Sequence, residues 1–278
     1  MTEQALPRII DTHTLAKQPP KDHWLIIFVG DEPAHAAGHI PGSVCLDYGW
    51  LNRQQPPAAG LLPDLESLAD LLGSLGITPD THVIAYDASG NGRASRLLWT
   101  LDCIGHPHWS LLSGGLMAWQ ADDYPLETGL VPWSSAPPYP VPAAPTPALA
   151  RRSDVMASID MPEVMVLDAR SPMEYAGADV RAARGGHVPG ALNLEWTQNF
   201  DADNATRLLP AETLMAMYQD LGLTPDQEII THCQTHHRSA LTYVVLRHLG
   251  FARVRGYDGS WSEWGNDPDC PVTAGTEP

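Results

Sequence analysis

The sequence predicts an α/β fold that is formed twice along one chain. Short apolar runs alternate with helix-like stretches, blocks of similar sequence recur about 146 residues apart, and a proline-rich segment lies between the two copies. Strands that alternate with helices are typical of a mainly parallel sheet with helices on both faces. We therefore expect two domains, each with one sheet of this kind.

The apolar runs predict buried strands, and the stretches between them predict helices. The clearest strands are at residues 25–29, 82–85, 164–167 and 228–231. The clearest helices are at residues 65–75, 94–103, 211–221 and 239–249. Gly250 follows the last helix as a C-terminal cap. Reactive loops in parallel sheets lie beyond the carboxyl ends of the strands, and Cys233 falls in such a place.

The duplication rests on several matched blocks in the same order. Residues 75–87 align with residues 221–233, residues 38–47 align with residues 186–195, and the glycine-rich turn at 113–119 resembles the one at 258–264. A period of this length fits a duplicated domain better than a short structural repeat. We predict an N-terminal domain at residues 1–124, a linker at 125–150 and a C-terminal domain at 151–278.

The predicted linker is defined by its prolines. They are at positions 125, 132, 137, 138, 140, 142, 145 and 147. Proline lacks a backbone N–H and has a fixed φ, so this segment should be neither helix nor central strand. We expect an extended, fairly stiff connector.

Composition excludes some classes of function. The formal net charge is −17, from 33 acidic residues against 16 Lys and Arg, which argues against a nucleic acid or an anionic membrane as the main partner. No apolar run approaches the length of a membrane span, and the first residues lack the plan of a secretory signal, so we expect a cytoplasmic protein. The four cysteines match neither a zinc site nor a disulfide framework.

Cys233 is the leading candidate for a nucleophile. It lies between a predicted strand and a predicted helix, and the N–H groups and partial positive charge of a helix N-terminus favour a thiolate. Residues 229–257 contain four Arg and four His but no Asp or Glu. Such a positive segment in an acidic chain indicates a small anionic substrate. Arg247 and His248 can instead serve only to complement the C-terminus of the helix.

At this point the motifs resemble those of a known family. They are Gly-His-Ile-Pro-Gly from Gly38, Gly-His-Val-Pro-Gly from Gly186, Asp168-Ala-Arg followed by Glu174-Tyr, and the Cys233 loop. Each half resembles a rhodanese domain, and the chain resembles the tandem-domain rhodaneses, which are thiosulfate:cyanide sulfurtransferases. The loop Cys-Gln-Thr-His-His-Arg is similar to that of a bacterial subgroup.

The resemblance implies that the C-terminal copy is catalytic and the N-terminal copy is inactive. Rhodaneses carry one catalytic Cys in the C-terminal copy and an Asp at the matching place in the other, here Cys233 and Asp87. Cys233 would attack the outer sulfur of the donor and carry it as a persulfide. The backbone N–H groups of residues 234–238 would form the cradle for that sulfur.

The substrate-binding residues are expected in the same loop. Besides Cys233, the candidates for substrate binding and for the persulfide cradle are Gln234, Thr235, His236, His237, Arg238 and Arg170. Arg238 would either hold an anion at the mouth or bond to a neighbouring loop carbonyl. The family pattern places Arg170 near the active site, and the alternative for it is a structural pair with Asp168.

Histidines near the cysteine allow more than one interpretation. His236 and His237 could be proton donors or anion ligands, and we expect one of them to be solvated. A zinc site formed by His232, Cys233 and this pair is disfavoured, because the cradle directs backbone amides at the same point; no metal is predicted. His39 and His187 occur in both copies and are therefore expected to fix their turns.

The loop departs from the animal-type rhodanese pattern, in which basic residues follow the cysteine directly. Gln234 and Thr235 stand there, which leaves the sulfur donor open and makes 3-mercaptopyruvate an alternative to thiosulfate. A less favoured alternative is a cysteine-dependent phosphatase or arsenate reductase. Phosphatases of that kind have five residues between Cys and Arg, but four separate Cys233 from Arg238, whereas five separate Asp87 from Arg93.

A non-catalytic binding module is a further alternative for the N-terminal half. We expect that half to cover one side of the active site. No cofactor is implied. The acceptor would be cyanide, a thiol, or an acceptor protein of the thioredoxin or iron–sulfur assembly type.

Overall fold

The computed structural model describes residues 6–18, 21–131 and 133–278. Residues 1–5 of the predicted N-terminal domain, residues 19–20 and Pro132 of the predicted linker lie outside the described residues. The strands are β1 Ile9–Ile10, β2 Trp24–Gly30, β3 Val44–Asp47, β4 Arg53–Gln55, β5 Ala58–Leu61, β6 His82–Tyr86, β7 Trp109–Leu112, β8 Leu149–Ala150, β9 Val164–Asp168, β10 Leu192–Asn193, β11 Phe200–Asp201, β12 Arg207–Leu208, β13 Glu228–His232 and β14 Arg253–Tyr257. The helices are α1 Thr12–Lys17, α2 Glu32–Ala37, α3 Leu65–Ser74, α4 Gly92–Cys103, α5 Gly115–Ala121, α6 Arg152–Ser158, α7 Pro172–Ala176, α8 Ala211–Asp220, α9 Arg238–His248 and α10 Ser260–Trp264.

Two five-stranded sheets confirm the predicted fold class. Their strand orders are β1-β7-β6-β2-β3 and β10-β9-β13-β14-β8, and neighbouring strands in both sheets are parallel. The central strands are β6 and β13, which the apolar runs at 82–85 and 228–231 predicted. Asp87 and Cys233 follow these two strands, so each lies at the carboxyl edge of its sheet.

The connections place helices on both faces of each sheet. The step from β2 to β3 through α2 and the step from β6 to β7 through α4 move in opposite directions across the sheet. Parallel crossovers are right-handed, so opposite steps place their helices on opposite faces. The steps through α7 and α9 are opposite in the same way in the second sheet.

Helix ends follow their local sequence. Asp31 caps α2 by accepting the N–H of Ala34, and Ser171 caps α7 in a capping box with Glu174. Helix α9 ends at His248, and Gly250 has a φ of 89°, the left-handed conformation that glycine adopts readily. This agrees with the predicted C-terminal cap.

The chain forms two compact units, each of which contains one of the five-stranded sheets. The N-terminal unit contains the described residues up to Leu51 together with Pro63–Thr146 and Phe200–Leu208. The C-terminal unit contains Asn52–Leu62, Pro147–Asn199 and Leu209–Pro278. Each unit therefore includes a short hairpin, β4–β5 or β11–β12, whose sequence lies within the other half of the chain. The sequence repeats gave no sign of this exchange.

The proline-rich segment packs against the N-terminal unit. Its described residues between 125 and 148 contain neither helix nor strand, whereas Leu149–Ala150 form β8, which ends the segment two residues before its predicted end. Tyr139 is buried, donates its N–H to the Ala69 carbonyl at 2.9 Å, and contacts His106 through its hydroxyl. The segment is thus anchored on α3.

Among the described residues, no helix combines the length and the apolar character that are needed to cross a bilayer.

Candidate active site

Cys233 is the first residue after the central strand of the C-terminal sheet. Strand β13 pairs with β9 on one side and β14 on the other, and helix α9 begins five residues after Cys233. The side chain is fully buried. A cysteine in this position is held rigidly by two neighbouring strands and faces the N-terminus of a helix.

Hydrogen-bond donors lie around the Cys233 sulfur, and one of them, Thr235, falls within the predicted cradle of residues 234–238, whereas Ser239 lies outside it. The Cys233 sulfur accepts from the backbone N–H groups of Thr235 and Ser239 and from the Ser239 hydroxyl. Burial raises the pKa of this thiol, but the charge of Arg238 and these hydrogen bonds outweigh it, and the pKa lies below its ordinary value. The site therefore favours the thiolate.

Arg238 forms a two-pronged ion pair with Glu174. Its guanidinium donates to the two Glu174 carboxylate oxygens at 2.6 and 2.8 Å, and Glu174 is itself buried. Burial raises the pKa of Glu174, but Arg238 lowers it to about 2 overall. The partner of Arg238 is thus the Glu174 carboxylate, which the sequence analysis did not expect. The sequence signal for Glu174 was its place three residues after Ser171 in a capping box.

Arg181 is a second cation near this ion pair that the sequence did not single out. One of its nitrogens is 3.7 Å from a Glu174 oxygen, another is 2.8 Å from Asp179, and its side chain is 53% exposed. The Gln234 amide donates to the Arg181 carbonyl at 3.1 Å, which ties the active loop to this segment. Arg181 thus presents an exposed positive charge beside the loop.

The two loop histidines differ in their surroundings. His236 is buried, has a φ of 54°, and contacts the Ser239 hydroxyl through Nδ1 at 2.8 Å. If Nδ1 donates in this contact, the Ser239 proton is directed at the sulfur. His237 is partly exposed and lies 5.9 Å from the ring of Trp196. His237 is therefore the member of the pair that keeps contact with solvent.

Asp168 and Arg170 form a buried pair behind the loop. Arg170 donates to both Asp168 oxygens and, at 2.7 Å, to the Gly186 carbonyl, and its guanidinium lies 4.2 Å from the Trp261 ring centre. These contacts are the ones expected if Arg170 forms a structural pair with Asp168. Its predicted role in substrate binding gains no support from them. Burial lowers the pKa of the neighbouring His232, against the opposing effect of the Asp168 charge.

Only part of the positive segment at residues 229–257 lies near Cys233 in space. Arg255 pairs with Asp154 at 2.9 Å and Glu228 at 3.3 Å, and Arg253 lies opposite Glu228 in the sheet register. Glu228 begins β13, whereas Cys233 follows its end, so these arginines belong to the far edge of the sheet. The inference of a positive site therefore rests on Arg238 and the loop histidines, because acidic residues of other elements pair with Arg255.

The turn at the start of α10 supports the loop from its carbonyl side. Trp261 donates its N–H to the Cys233 carbonyl and Ser262 donates to the Gln234 carbonyl, both at 2.9 Å. Ser260 has a φ of 50° and its hydroxyl lies 3.4 Å from the Cys233 nitrogen. This turn fixes the peptide planes of the loop.

The matching loop of the N-terminal unit has a different occupant. Asp87 accepts hydrogen bonds from the N–H groups of Ser89 at 2.8 Å, Asn91 at 3.0 Å and Ala94 at 2.9 Å. Asp87 is buried and lies where Cys233 lies in the other unit. Its own carboxylate therefore fills the cradle of the N-terminal loop.

His39 and His187 hold their turns, as the duplication predicts. Nδ1 of His39 contacts the His35 carbonyl at 2.8 Å, and Nδ1 of His187 contacts the Tyr175 carbonyl at 2.9 Å. Both rings are buried and stack on the side chains of those same residues. These contacts are architectural.

Each unit has a parallel sheet, and N–H donors follow the central strand of each sheet. Only one of these two loops carries a thiol, so the chain is a duplicated α/β protein with one thiol site. The family model of the rhodanese-like domain matches the chain twice, at residues 11–122 and 152–267. The chain belongs to the rhodanese family.

Relatives of known name extend over nearly the whole chain. It is 44% identical to a thiosulfate sulfurtransferase of Pseudomonas aeruginosa, with 96% of this chain and 97% of the relative covered. It is 42% identical to a thiosulfate sulfurtransferase of Azotobacter vinelandii, with the same coverage. It is also 35% identical to the sulfur carrier protein TtuD of Thermus thermophilus, over 86% of this chain and 87% of the relative.

A solved structure with the same fold is an anaerobic ergothioneine biosynthesis enzyme from Chlorobium limicola. The TM-score is 0.86 at 21% identity, with 96% of this chain and 70% of that chain covered. At this identity the likeness shows the fold alone.

Proposed function

We propose that this protein is a sulfurtransferase that moves a sulfane sulfur from thiosulfate to a thiophilic acceptor such as cyanide, through a persulfide on Cys233. The observation that carries the proposal is the buried Cys233 sulfur, which accepts hydrogen bonds from Thr235 and Ser239 and has a lowered pKa. Thiosulfate sulfurtransferases at 42% and 44% identity support the choice of donor.

The reaction has two displacements at sulfur. The Cys233 thiolate attacks the outer sulfur of thiosulfate, the sulfur–sulfur bond of the donor breaks, and sulfite leaves with the electron pair. Cyanide then attacks the terminal sulfur of the persulfide, forms thiocyanate and returns Cys233 to the thiolate. The N–H groups of Thr235 and Ser239 stabilise the negative charge on sulfur in both steps.

Arg181 and Arg238 have different tasks in this proposal. Glu174 already neutralises Arg238, which therefore acts on the thiolate through its charge. Arg181 is the exposed cation beside the loop and is suited to attract the sulfonate group of the donor. Substrate binding by Gln234, Thr235 and His237 remains a prediction from the sequence.

The ion pair argues against a phosphatase. A cysteine-dependent phosphatase needs its loop arginine to bind the oxygens of a phosphate, but both prongs of Arg238 are taken by Glu174. The loop also directs its hydrogen bonds at one sulfur atom. Sulfur transfer fits this geometry better.

The N-terminal unit has no nucleophile at the matching position in this proposal. Asp87 cannot carry sulfur, and its carboxylate satisfies the surrounding N–H groups. A protein acceptor of the thioredoxin or iron–sulfur assembly type, as an alternative to cyanide or a small thiol, is supported only by the 35% identity to a sulfur carrier protein.

Intact-protein mass spectrometry tests the proposal. Incubation with thiosulfate should add the mass of one sulfur atom, and cyanide should remove it. Cys233→Ala should abolish the adduct and the formation of thiocyanate. Cys45→Ala is the matched control and should change neither, because burial and neighbouring acids raise the pKa of Cys45 to about 11.

The donor is decided by the same measurement with 3-mercaptopyruvate. An adduct with 3-mercaptopyruvate but not with thiosulfate would overturn the choice of donor. Absence of an adduct with either compound would overturn sulfur transfer itself.

A further inference from the structure

The β4–β5 hairpin is fixed to the same turn that supports the active loop. Ala59 donates its N–H to the Ser262 hydroxyl at 3.2 Å, and Leu62 donates to an Asp258 oxygen at 2.8 Å. Ala58, Leu61 and Leu62 are buried. All these residues belong to the C-terminal unit. The hairpin is therefore an integral part of the unit that contains Cys233.

Gly60 lies directly against the peptide of Thr235. A Cβ atom at Gly60 would be 2.8 Å from the Thr235 carbonyl carbon, 2.9 Å from its Cβ, and nearer still to its carbonyl oxygen. The φ of Gly60 lies outside the left-handed region, so its backbone conformation alone does not require glycine. The lack of a side chain is what this contact needs.

The contact completes a row of constraints along the loop. The carbonyls of Cys233 and Gln234 accept N–H groups from the turn at the start of α10. The next carbonyl, that of Thr235, lies against Gly60. The N–H of Thr235 is in turn one of the two backbone donors to the Cys233 sulfur. That N–H belongs to the Gln234–Thr235 peptide, which meets the peptide beside Gly60 at the Thr235 Cα, so a displacement of Thr235 would change the hydrogen bonding of the thiolate.

The N-terminal unit has a position equivalent to Gly60, and its loop carries Asp87 instead of a cysteine. Leu62 and Leu208 are equivalent, since their N–H groups bond to Asp258 and Ser113 at matching places of the two glycine-rich turns. Two residues earlier the pair is Gly60 and Thr206. Thr206 has a φ of 54°, whereas the φ of Gly60 lies outside the left-handed region, so the two backbones differ at this place.

We propose that Gly60 is a positioning residue for the persulfide chemistry: its close contact fixes Thr235, so that the N–H of Thr235 points at the Cys233 sulfur. This inference rests on the proposed sulfurtransferase function. Its test needs a readout that a loss of general stability would not move, and the pH dependence of Cys233 alkylation provides one.

Gly60→Ala is the decisive variant. We expect kcat for thiosulfate and cyanide to fall roughly tenfold to a hundredfold, because a displacement of less than 1 Å at a reacting group costs that much. The pH profile of Cys233 alkylation by iodoacetamide, followed on the Cys233 peptide, should shift to higher pH. KM for thiosulfate should change less than kcat.

Gly38→Ala is the matched control for an added methyl group. Its φ of 171° is extended, and a Cβ there meets only a Leu126 methyl at 3.4 Å. It should keep the wild-type kcat and alkylation profile. Ser262→Ala is the second variant: it removes the acceptor for Ala59 and should shift the profile in the same direction as Gly60→Ala, by less.

The outcomes separate this proposal from the proposed function. Wild-type kcat and an unshifted alkylation profile in Gly60→Ala would overturn the positioning role while sulfur transfer stands. If Gly60→Ala does not fold, by circular dichroism and thermal melting, an unshifted profile in Ser262→Ala overturns it instead. A wild-type protein that forms no sulfur adduct would overturn the function, and the alkylation profiles would still decide the role of Gly60.

Discussion

The charge of Arg238 is the largest single cause that lowers the pKa of Cys233. Its charge acts on the thiolate across the loop, while its two nitrogens are held by Glu174. Exposed ion pairs are worth little, but Glu174 is buried, and breaking a buried pair leaves an uncompensated charge. The pair therefore links the stability of the site to the reactivity of the thiol.

We expect Arg238→Gln to make Cys233 less reactive near neutral pH. The loss of the positive charge, together with the unpaired Glu174 carboxylate, raises the pKa of the thiol. The thiolate is the form present above the pKa, so the alkylation profile should move to higher pH. At pH 7 the alkylation rate should fall by about tenfold, which corresponds to one pKa unit.

The double variant Glu174→Gln with Arg238→Gln is the control for that experiment. It removes both charges, so the orphaned carboxylate no longer contributes. We expect its profile to lie between those of the wild-type protein and Arg238→Gln. A profile of Arg238→Gln that coincides with the wild type would contradict the electrostatic role of Arg238.

At the residue scale the sequence located the thiol but not its partners. Cys233 was predictable, because a strand, a short loop and a helix N-terminus are all readable from local pattern. Glu174 and Arg181 reach the loop from a segment more than fifty residues away, and pairing over that distance has no local signal. The positive segment at residues 229–257 includes Arg253 and Arg255, which lie at the far edge of the sheet. Their distance from Cys233 in space has no local signal either.

The length of the loop between β13 and α9 matters for which group its N–H donors surround. Four residues separate Cys233 from Arg238, and two backbone N–H groups converge on one sulfur. In the N-terminal unit five residues separate Asp87 from Arg93, and three N–H groups surround a carboxylate with two oxygens. The longer loop thus accommodates the larger acceptor.

Insertion of one glycine between Thr235 and His236 should abolish sulfur transfer. The added residue separates the N–H groups of Thr235 and Ser239, so they can no longer both reach the sulfur. Thiocyanate formation and the sulfur adduct should be lost, and phosphatase activity with a phenyl phosphate is the corresponding gain to assay. Unchanged sulfur transfer would contradict the argument from loop size.

At the scale of elements, the sequence predicted the central strands and the flanking helices within one or two residues. Strands β6 and β13 are buried along most of their length, so their apolar runs are unbroken. The hairpins β4–β5 and β11–β12 escaped prediction, because segments so short have no period. Their packing partners depend on the tertiary fold.

At the scale of the whole molecule, each compact unit depends on sequence from both halves of the chain. Residues 151–278 were predicted to form the catalytic domain, but Asn52–Leu62 belong to the same compact unit. A family match that begins at residue 152 does not include them. The compact unit that contains Cys233 therefore does not correspond to one continuous stretch of sequence.

The fragment 147–278 on its own tests this dependence. It lacks the buried side chains of Ala58, Leu61 and Leu62, and it lacks the contact of Gly60 with the active loop. Deleting buried aliphatic side chains costs about 2–5 kcal/mol each, so we expect a lower melting temperature. We also expect thiocyanate formation to fall by at least about tenfold relative to the full chain, by the argument from positioning.

The matched control carries residues 52–62 ahead of the same fragment, joined by a flexible Gly/Ser linker. If the hairpin is what the fragment lacks, this version should recover melting temperature and thiocyanate formation together, because both depend on Ala59 and Leu62 bonding to Ser262 and Asp258. Removal of those two acceptors, by Ser262→Ala and Asp258→Ala, should cancel the recovery. Full activity in fragment 147–278 alone would contradict the dependence, since the thiolate cradle would then be complete without residues 52–62.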